Sequence, residues 1–290
     1  MKATLHCACG ETKRFTALQY HARPAGETPL PFPGSYRRRY DACGICGHYF
    51  GVHDLDLWGL YEGAYVDATY QSAEGMLAAF RRITALPPEN SDNAGRAGRV
   101  DRFARERFGG GSPPSLLDVG AGLGVFPHAM KQRGWNVTAL DPDPRATRHI
   151  ATVVGVPVVT GDFFKVSAGE LGLYDVVSLN KVLEHMEDPL SMVQRVAPLL
   201  TPRGFIYAEV PDVAARSEGC GREEFFIEHH HVFSPTSLVR LLEAAGFKVL
   251  HVERIREPST KFTLFCFAEA AGMPDEYERH FDTNEHCAAV

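Results

Sequence analysis

From residue 115 onward, short apolar runs alternate with segments of helical periodicity. Apolar runs at 115–119, 136–140, 156–160, 174–179, 204–210, 248–254 and 263–267 predict seven strands. The stretches 126–133, 144–153, 189–199 and 234–245 space their apolar residues as one-sided helices do. Strands that are apolar on both faces, separated by helices, predict a mostly parallel sheet covered on both sides: a doubly wound α/β domain.

The earlier half reads differently. Residues 61–108 have a helical pattern, with amphipathic stretches at 75–83 and 100–108 and a run of breakers at 86–93 between them. Gly109-Gly110-Gly111-Ser112-Pro113-Pro114 is a hinge and the expected domain boundary. The division that follows is a small module over 1–60, a helical linker or substrate cover over 61–112, the α/β domain over 113–271 and a tail over 272–290. There is no internal repeat and no low-complexity tract.

Composition narrows the function classes. Of 290 residues, 44% are hydrophobic, enough for a packed core. The net charge of −6 disfavours strong sequence-independent binding to nucleic acid. No run approaches the roughly 20 apolar residues that span a bilayer, and the N-terminal residues lack the apolar core of a signal peptide. A cytoplasmic protein is expected, so its seven cysteines do not suggest disulfides.

The first chemical motif is Leu116-Leu117-Asp118-Val119-Gly120-Ala121-Gly122-Leu123-Gly124, a strand turning through glycines into a helix. The spacing is G-x-G-x-G. A dinucleotide fingerprint, G-x-G-x-x-G, would need its third glycine at Val125. Asp118 would also be unfavourable beside a pyrophosphate, whereas a sulfonium cofactor carrying an amino group suits a nearby carboxylate.

This segment resembles the first motif of the class I S-adenosylmethionine-dependent methyltransferases, whose sheet is Rossmann-like. Further motifs follow in order: Ala139-Leu140-Asp141-Pro142, Gly161-Asp162-Phe163, the fourth strand ending at Asn180 and running on to Glu184-His185, and Leu200-Thr201-Pro202-Arg203-Gly204. The resemblance implies that Asp118, Gly120, Gly122, Gly124, Asp141, Pro142, Asp162, Phe163 and Asn180 bind S-adenosylmethionine. Asp141 would take the ribose hydroxyls, and Asp162 with its neighbours the adenine. Each also has a plainer reading: a strand-to-helix turn for the glycines, a helix cap for Asp141, a turn residue for Asp162. Glu184 and His185 stand between capping the following helix and facing a substrate. Lys181-Val182 after Asn180, in place of a Pro-Pro-aromatic sequence, argues against an amino-group methyltransferase of DNA or RNA.

Cys7-Ala8-Cys9-Gly10 and Cys43-Gly44-Ile45-Cys46-Gly47 pair four cysteines on short turns, the pattern of a structural zinc site. His6 and His48 are substitute ligands, and redox chemistry at Cys43 and Cys46 is the alternative. Cys266 reads as core, and Cys220 and Cys287 as unrelated. A four-cysteine module ahead of such a domain is similar to the sugar C-methyltransferases acting on nucleotide-linked deoxysugars. So is the segment Glu228-His229-His230-His231-Val232-Phe233-Ser234. That likeness implies His229 as the base, assisted by Glu228, with His231 a second candidate.

Arg37-Arg38-Arg39, Arg96 and Arg99 are either solvated or attract a phosphorylated substrate. Tyr61, Tyr65 and Tyr70 either pack or stack on a base or sugar. The expected function is methyl transfer to a small molecule, favouring a nucleotide-linked sugar. The rivals are an O- or N-methyltransferase of another metabolite, an RNA-modifying enzyme gripping RNA with its zinc module, and a non-catalytic cofactor-binding protein.

Overall fold

The structure is a computed structural model that describes residues 7–29, 35–55 and 72–272. His6, Tyr61, Tyr65, Tyr70 and Cys287 lie outside the described residues.

The seven expected strands are all present, in one sheet. They are β4 (Ser115–Val119), β5 (Asn136–Asp141), β6 (Val158–Thr160), β7 (Tyr174–Asn180), β8 (Leu200–Pro211), β10 (Phe247–Arg256) and β11 (Phe262–Ala270). Their spatial order is β10-β11-β8-β7-β4-β5-β6. The pairs β4–β5, β5–β6, β4–β7 and β7–β8 are parallel, and β11 runs against both neighbours. Chain order reverses between β4 and β7. In open α/β sheets, the crevice at the carboxyl ends of such strands is where ligands bind.

The helices on this sheet are α1 (Ala73–Thr84), α2 (Asp92–Phe108), α3 (Val125–Gln132), α4 (Pro144–His149), α5 (Ala168–Leu171), α6 (Pro189–Gln194) and α7 (Pro235–Ala244). Two expected helices are shorter than their apolar pattern. The one at 144–153 changes after His149 into a wider turn over Ile150–Val154, and the one at 189–199 ends at Gln194, followed by a tight turn over Ala197–Leu199.

The hinge at 109–114 does not separate two cores. Ala97, Val100 and Ala104 of α2 are fully buried against Leu116, Met130, Phe205 and Tyr207. Helix α2 is therefore a layer of the α/β domain, not a cover over it. It begins at Asp92, where Ser91 Oγ accepts from Ala94 N at 3.2 Å.

The N-terminal module adds a second sheet, of order β1-β2-β3-β9, from β1 (Arg14–Tyr20), β2 (Arg38–Cys43), β3 (Tyr49–Val52) and β9 (His231–Val232). Its fourth strand comes from the histidine run of the main domain, through the antiparallel pairs Tyr49–Val232 and Phe50–His231. The module is thus stitched to the segment expected to carry catalysis. Among the described residues, no helix is long and apolar enough to cross a membrane.

Candidate active site

The glycine loop follows β4. Gly120 N and Ala121 N both donate to the Leu140 carbonyl, at 2.8 and 3.1 Å, which ties the loop to the end of β5. Gly120 sits at φ 73°, and a Cβ there would meet Val182 Cγ2 at 2.7 Å. Gly124 sits at φ 70°, and its Cβ would meet Ile150 Cγ1 at 2.8 Å. Glycine at 120 thus lets the chain after β7 close over the loop, and at 124 it lets α3 pack on the turn after α4.

Above this loop lies a cavity of roughly 310 Å³. Of the expected cofactor residues, Gly120, Gly122, Asp141, Pro142, Asp162 and Phe163 line it. Asp141 is buried. Its Oδ2 accepts from Gly122 N at 2.8 Å and its Oδ1 from Asp143 N at 2.9 Å. Burial raises its pKa while those two bonds favour the charged form. The cap of α4 is Asp143, which accepts from Arg145 N at 2.8 Å, so Asp141 is left for the cavity. Asp162 Oδ1 accepts from Phe164 N at 2.9 Å.

Asp118, Gly124 and Asn180 are not among the lining residues. Asp118 is buried in β4, where its Oδ1 accepts from Ser178 Oγ at 2.5 Å and Asn180 Nδ2 at 2.9 Å. Burial pushes its pKa up to about 7, against those bonds and the nearby Arg96. The acidic residues that line the cavity are Asp141, Asp143 and Asp162. Met76, Phe164, Lys181 and Met186 also line it and were not anticipated. Phe164, 41% exposed, offers a ring face that a neighbour of Phe163 in a polar turn does not advertise.

His185 also lines the cavity. Its ring lies 4.9 Å from that of His229, edge to face. His185 Nδ1 is 3.0 Å from the Glu228 carbonyl, and His229 Nδ1 is 2.9 Å from the Glu224 carbonyl. A carbonyl can only accept, so Nδ1 carries the proton in both rings and Nε2 is the basic nitrogen. Desolvation lowers both imidazoles, His185 to about 4. Beside them the Glu184 carboxyl is buried, and burial raises it to about 7 despite Lys181. His229 therefore lies against His185 and is not among the residues lining the cavity, and its Nδ1 is held by the Glu224 carbonyl and not by the expected Glu228 carboxylate. Glu228 contributes its carbonyl, on His185.

His231 lies elsewhere. Its Nδ1 is 2.8 Å from His48 Nε2, and His48 Nδ1 is 3.0 Å from Ser237 Oγ. It lines a second cavity with Cys7, Cys9 and Cys46. His48 is likewise engaged here, and the grouped metal-ligating atoms at the cysteine turns are those of the four cysteines alone.

The four thiols are unbridged, and their sulfurs all lie within 4.8 Å of one another. Cys7–Cys9, Cys7–Cys46 and Cys9–Cys43 are 3.1, 3.2 and 3.6 Å apart. A tetrahedron of sulfurs about zinc has an edge of roughly 3.8 Å. Gly10 N and Gly47 N donate back to the Cys7 and Cys43 carbonyls, at 2.9 and 3.0 Å, closing the two turns. The arrangement can hold one tetrahedral metal ion.

The basic residues are mostly engaged. Arg38 is buried, 2.5 Å from Glu27 and stacked on Tyr20, and Arg39 pairs with Asp41 at 2.9 Å. Arg96 and Arg99 both pair with the fully buried Glu209 of β8. These arginines are engaged within the fold, while Arg37 is exposed.

A methyltransferase-domain family model matches residues 89–252. Among curated relatives, the ubiquinone biosynthesis O-methyltransferase of Cronobacter sakazakii is 31% identical over 171 residues, covering 57% of this chain and 65% of that protein. That of Pectobacterium carotovorum is 34% identical over 139 residues, 46% of this chain and 53% of its own length. The chain thus spans between half and two thirds of these relatives. Two solved structures share the fold at a TM-score of 0.53. Magnesium protoporphyrin IX methyltransferase from Synechocystis, with S-adenosylhomocysteine bound, is 15% identical and covers 72% of this chain and 100% of its own. The 1,6-didemethyltoxoflavin N1-methyltransferase of Burkholderia thailandensis is 18% identical, covering 86% and 100%. With the family match spanning more than half of the 290 residues, the sheet order and the glycine loop in accord, the chain belongs to the methyltransferase-domain family, of the class I S-adenosylmethionine-dependent type.

Proposed function

We propose that this protein transfers a methyl group from S-adenosylmethionine to an oxygen or an acidic carbon of a small molecule. The observation that carries this reading is the cavity at the strand reversal, lined by Asp141, the glycine loop and His185, with the His229 ring packed against His185. Gly120, Gly122 and Asp141 hold the ribose and amino acid parts of the cofactor, and Asp162 with Phe163 and Phe164 holds the adenine. The bound cofactor supplies a sulfonium methyl. The His185–His229 pair, neutral at physiological pH and with Nε2 unprotonated, takes the acceptor's proton. The acceptor's electron pair then forms the new bond to the methyl carbon as the carbon–sulfur bond breaks, leaving a neutral thioether.

The four cysteines hold a structural zinc ion, a closed site with all four positions filled by thiolate. A nucleotide-linked sugar is one acceptor class compatible with the Glu228-His229 segment, and the O-methyltransferase relatives favour a hydroxyl acceptor. The engaged arginines give little support to a phosphate grip. Calorimetry with S-adenosylhomocysteine tests the cofactor reading. Asp141→Ala orphans the Gly122 and Asp143 amides and removes the ribose acceptor, so it should weaken binding by tenfold or more, about 1.4 kcal/mol. A wild-type protein that binds neither S-adenosylmethionine nor its demethylated product would end the reading. Metal analysis finding no zinc would end the second part.

A further inference from the structure

Glu184, His185 and His229 come from two separate segments, the turn after β7 and the loop before β9. A carboxylate oxygen of Glu184 and one ring nitrogen from each histidine all lie within 4.8 Å of one another. Both imidazoles are pinned at Nδ1 by backbone carbonyls. Histidines that ligate metals are held in this way, the second ring nitrogen donating to a carbonyl so that tautomer and orientation are fixed. Glu184 is 1% exposed, and its Oε2 has no hydrogen-bond partner among the described residues. A buried carboxylate oxygen left without a partner is costly. A nitrogen from each of two orientated histidines and an oxygen of Glu184 therefore meet in one space beside the cofactor cavity.

We propose that Glu184, His185 and His229 form a binding site for a divalent transition-metal ion, separate from the four-cysteine site. Two imidazoles and one carboxylate suit zinc, iron, cobalt or manganese better than magnesium or calcium. Lys181 is the countervailing charge, but its Nζ is engaged by Thr263 Oγ1 at 2.8 Å and lies 3.8 Å from Glu209. Three protein ligands leave positions open on the ion. Resting on the methyltransferase reading, those positions face the acceptor and select one that offers a hydroxyl with a second oxygen next to it. Bound to the cation, that hydroxyl loses its proton to water rather than to the His185–His229 pair, whose nitrogens then hold the ion, and its oxygen attacks the sulfonium methyl as the carbon–sulfur bond breaks.

The test uses the full chain with metal retained at the four cysteines. Cobalt(II) is added, and uptake is followed by metal analysis and visible absorption. A thiolate-bound cobalt has intense charge-transfer bands, whereas one bound by nitrogen and oxygen does not, so the two sites are told apart. The expected result is one further cobalt per chain, bound roughly tenfold or more weakly in Glu184→Gln and His229→Gln. Both variants should bind S-adenosylhomocysteine as the wild type does. Pulsed electron paramagnetic resonance of the wild type loaded with manganese(II) should show coupling to imidazole nitrogen, a readout that needs no variant to fold. No further metal uptake, no imidazole coupling, or equal affinity in both variants overturns the proposal. Loss of S-adenosylhomocysteine binding in the wild type, with metal uptake intact, would instead overturn the methyltransferase reading and leave the metal site standing.

Discussion

The charge cluster that joins α2 to the sheet makes a quantitative demand on stability. Glu209 is fully buried in β8. It accepts from Arg96 Nε at 2.8 Å, from Arg99 at 3.1 Å and from Tyr207 Oη at 2.7 Å, and Lys181 stands 3.8 Å away. The Arg96 and Arg99 side chains are only 12% and 14% exposed. Glu209→Gln keeps the shape and removes the charge. Arg99 retains Glu257 at 3.5 Å, but Arg96 loses its ion pair with Glu209. Breaking a buried pair by removing one partner costs about 3–5 kcal/mol, and the residual pairing through Glu257 places this case near the lower end. In a domain of this size that is a fall in Tm of roughly 6–12 °C. Replacing both partners, Arg96→Met with Glu209→Gln, removes the uncompensated charge and should recover at least about 1 kcal/mol relative to the sum of the single changes. Urea denaturation of the wild type, both single variants and the double variant measures this directly. A Glu209→Gln cost below about 0.5 kcal/mol, or strict additivity in the cycle, would refute the assignment of these arginines to the fold rather than to a substrate.

Other outcomes follow from single groups. The Asp118 carboxyl is raised from 3.8 to about 7 by burial, so the folded state binds its proton more tightly than the unfolded chain does. Its contribution to stability is present below about pH 4 and is lost as the pH rises through about 7; Asp118→Asn should gain stability relative to wild type across that window, and parallel pH profiles would refute this. Gly120→Ala forces a side chain into a left-handed position at about 1–2 kcal/mol and drives its Cβ to 2.7 Å from Val182 Cγ2, so S-adenosylhomocysteine affinity measured by calorimetry should fall with stability. Tyr40 Oη lies 2.9 and 2.8 Å from the Phe226 and His229 carbonyls. Tyr40→Phe should lower turnover while leaving cofactor affinity unchanged, and a loss confined to cofactor binding would argue against Tyr40 positioning the His229 loop.

The α/β domain was legible because its signals are local. Each strand of the seven-stranded sheet is a short apolar run bounded by turn residues, and the glycine loop announces the strand-to-helix crossing. Helix α2 was half hidden. Gly95, Gly98 and the charged residues around them obscure its first turns, and only burial of Ala97 reveals the apolar stripe. The early end of α4 was hidden as well, since the wider turn at Ile150–Val154 keeps an apolar pattern while changing the hydrogen bonding. Gly120, Gly122, Asp141 and Asp162, singled out by spacing, do line one cavity, whereas Gly124 does not. The roles of the arginines were not. Arg38 sits among charged neighbours and looks solvated, and its burial depends on Glu27, whose Oε2 also accepts from Ile227 N at 2.8 Å.

The histidine run marks the limit of local reading and explains why the N-terminal module is present. Three consecutive histidines have one composition but three environments, and nothing in the run itself separates them. Long-range pairing does. Gly51 N donates to the His230 carbonyl and His230 N to the Glu184 carbonyl, at 2.8 and 2.7 Å, so residue 230 is clasped between the module and the turn after β7. That clasp turns His229 toward His185 and the cofactor cavity, and sends His231 the other way, onto His48 and the cysteine module. The module's Glu27 and Tyr40 fasten the preceding residues. The boundary drawn along the chain at residue 113 therefore does not divide structure from function. The four-cysteine module, far away in sequence, supplies half of the framework that aims His229, and the main domain supplies the other half.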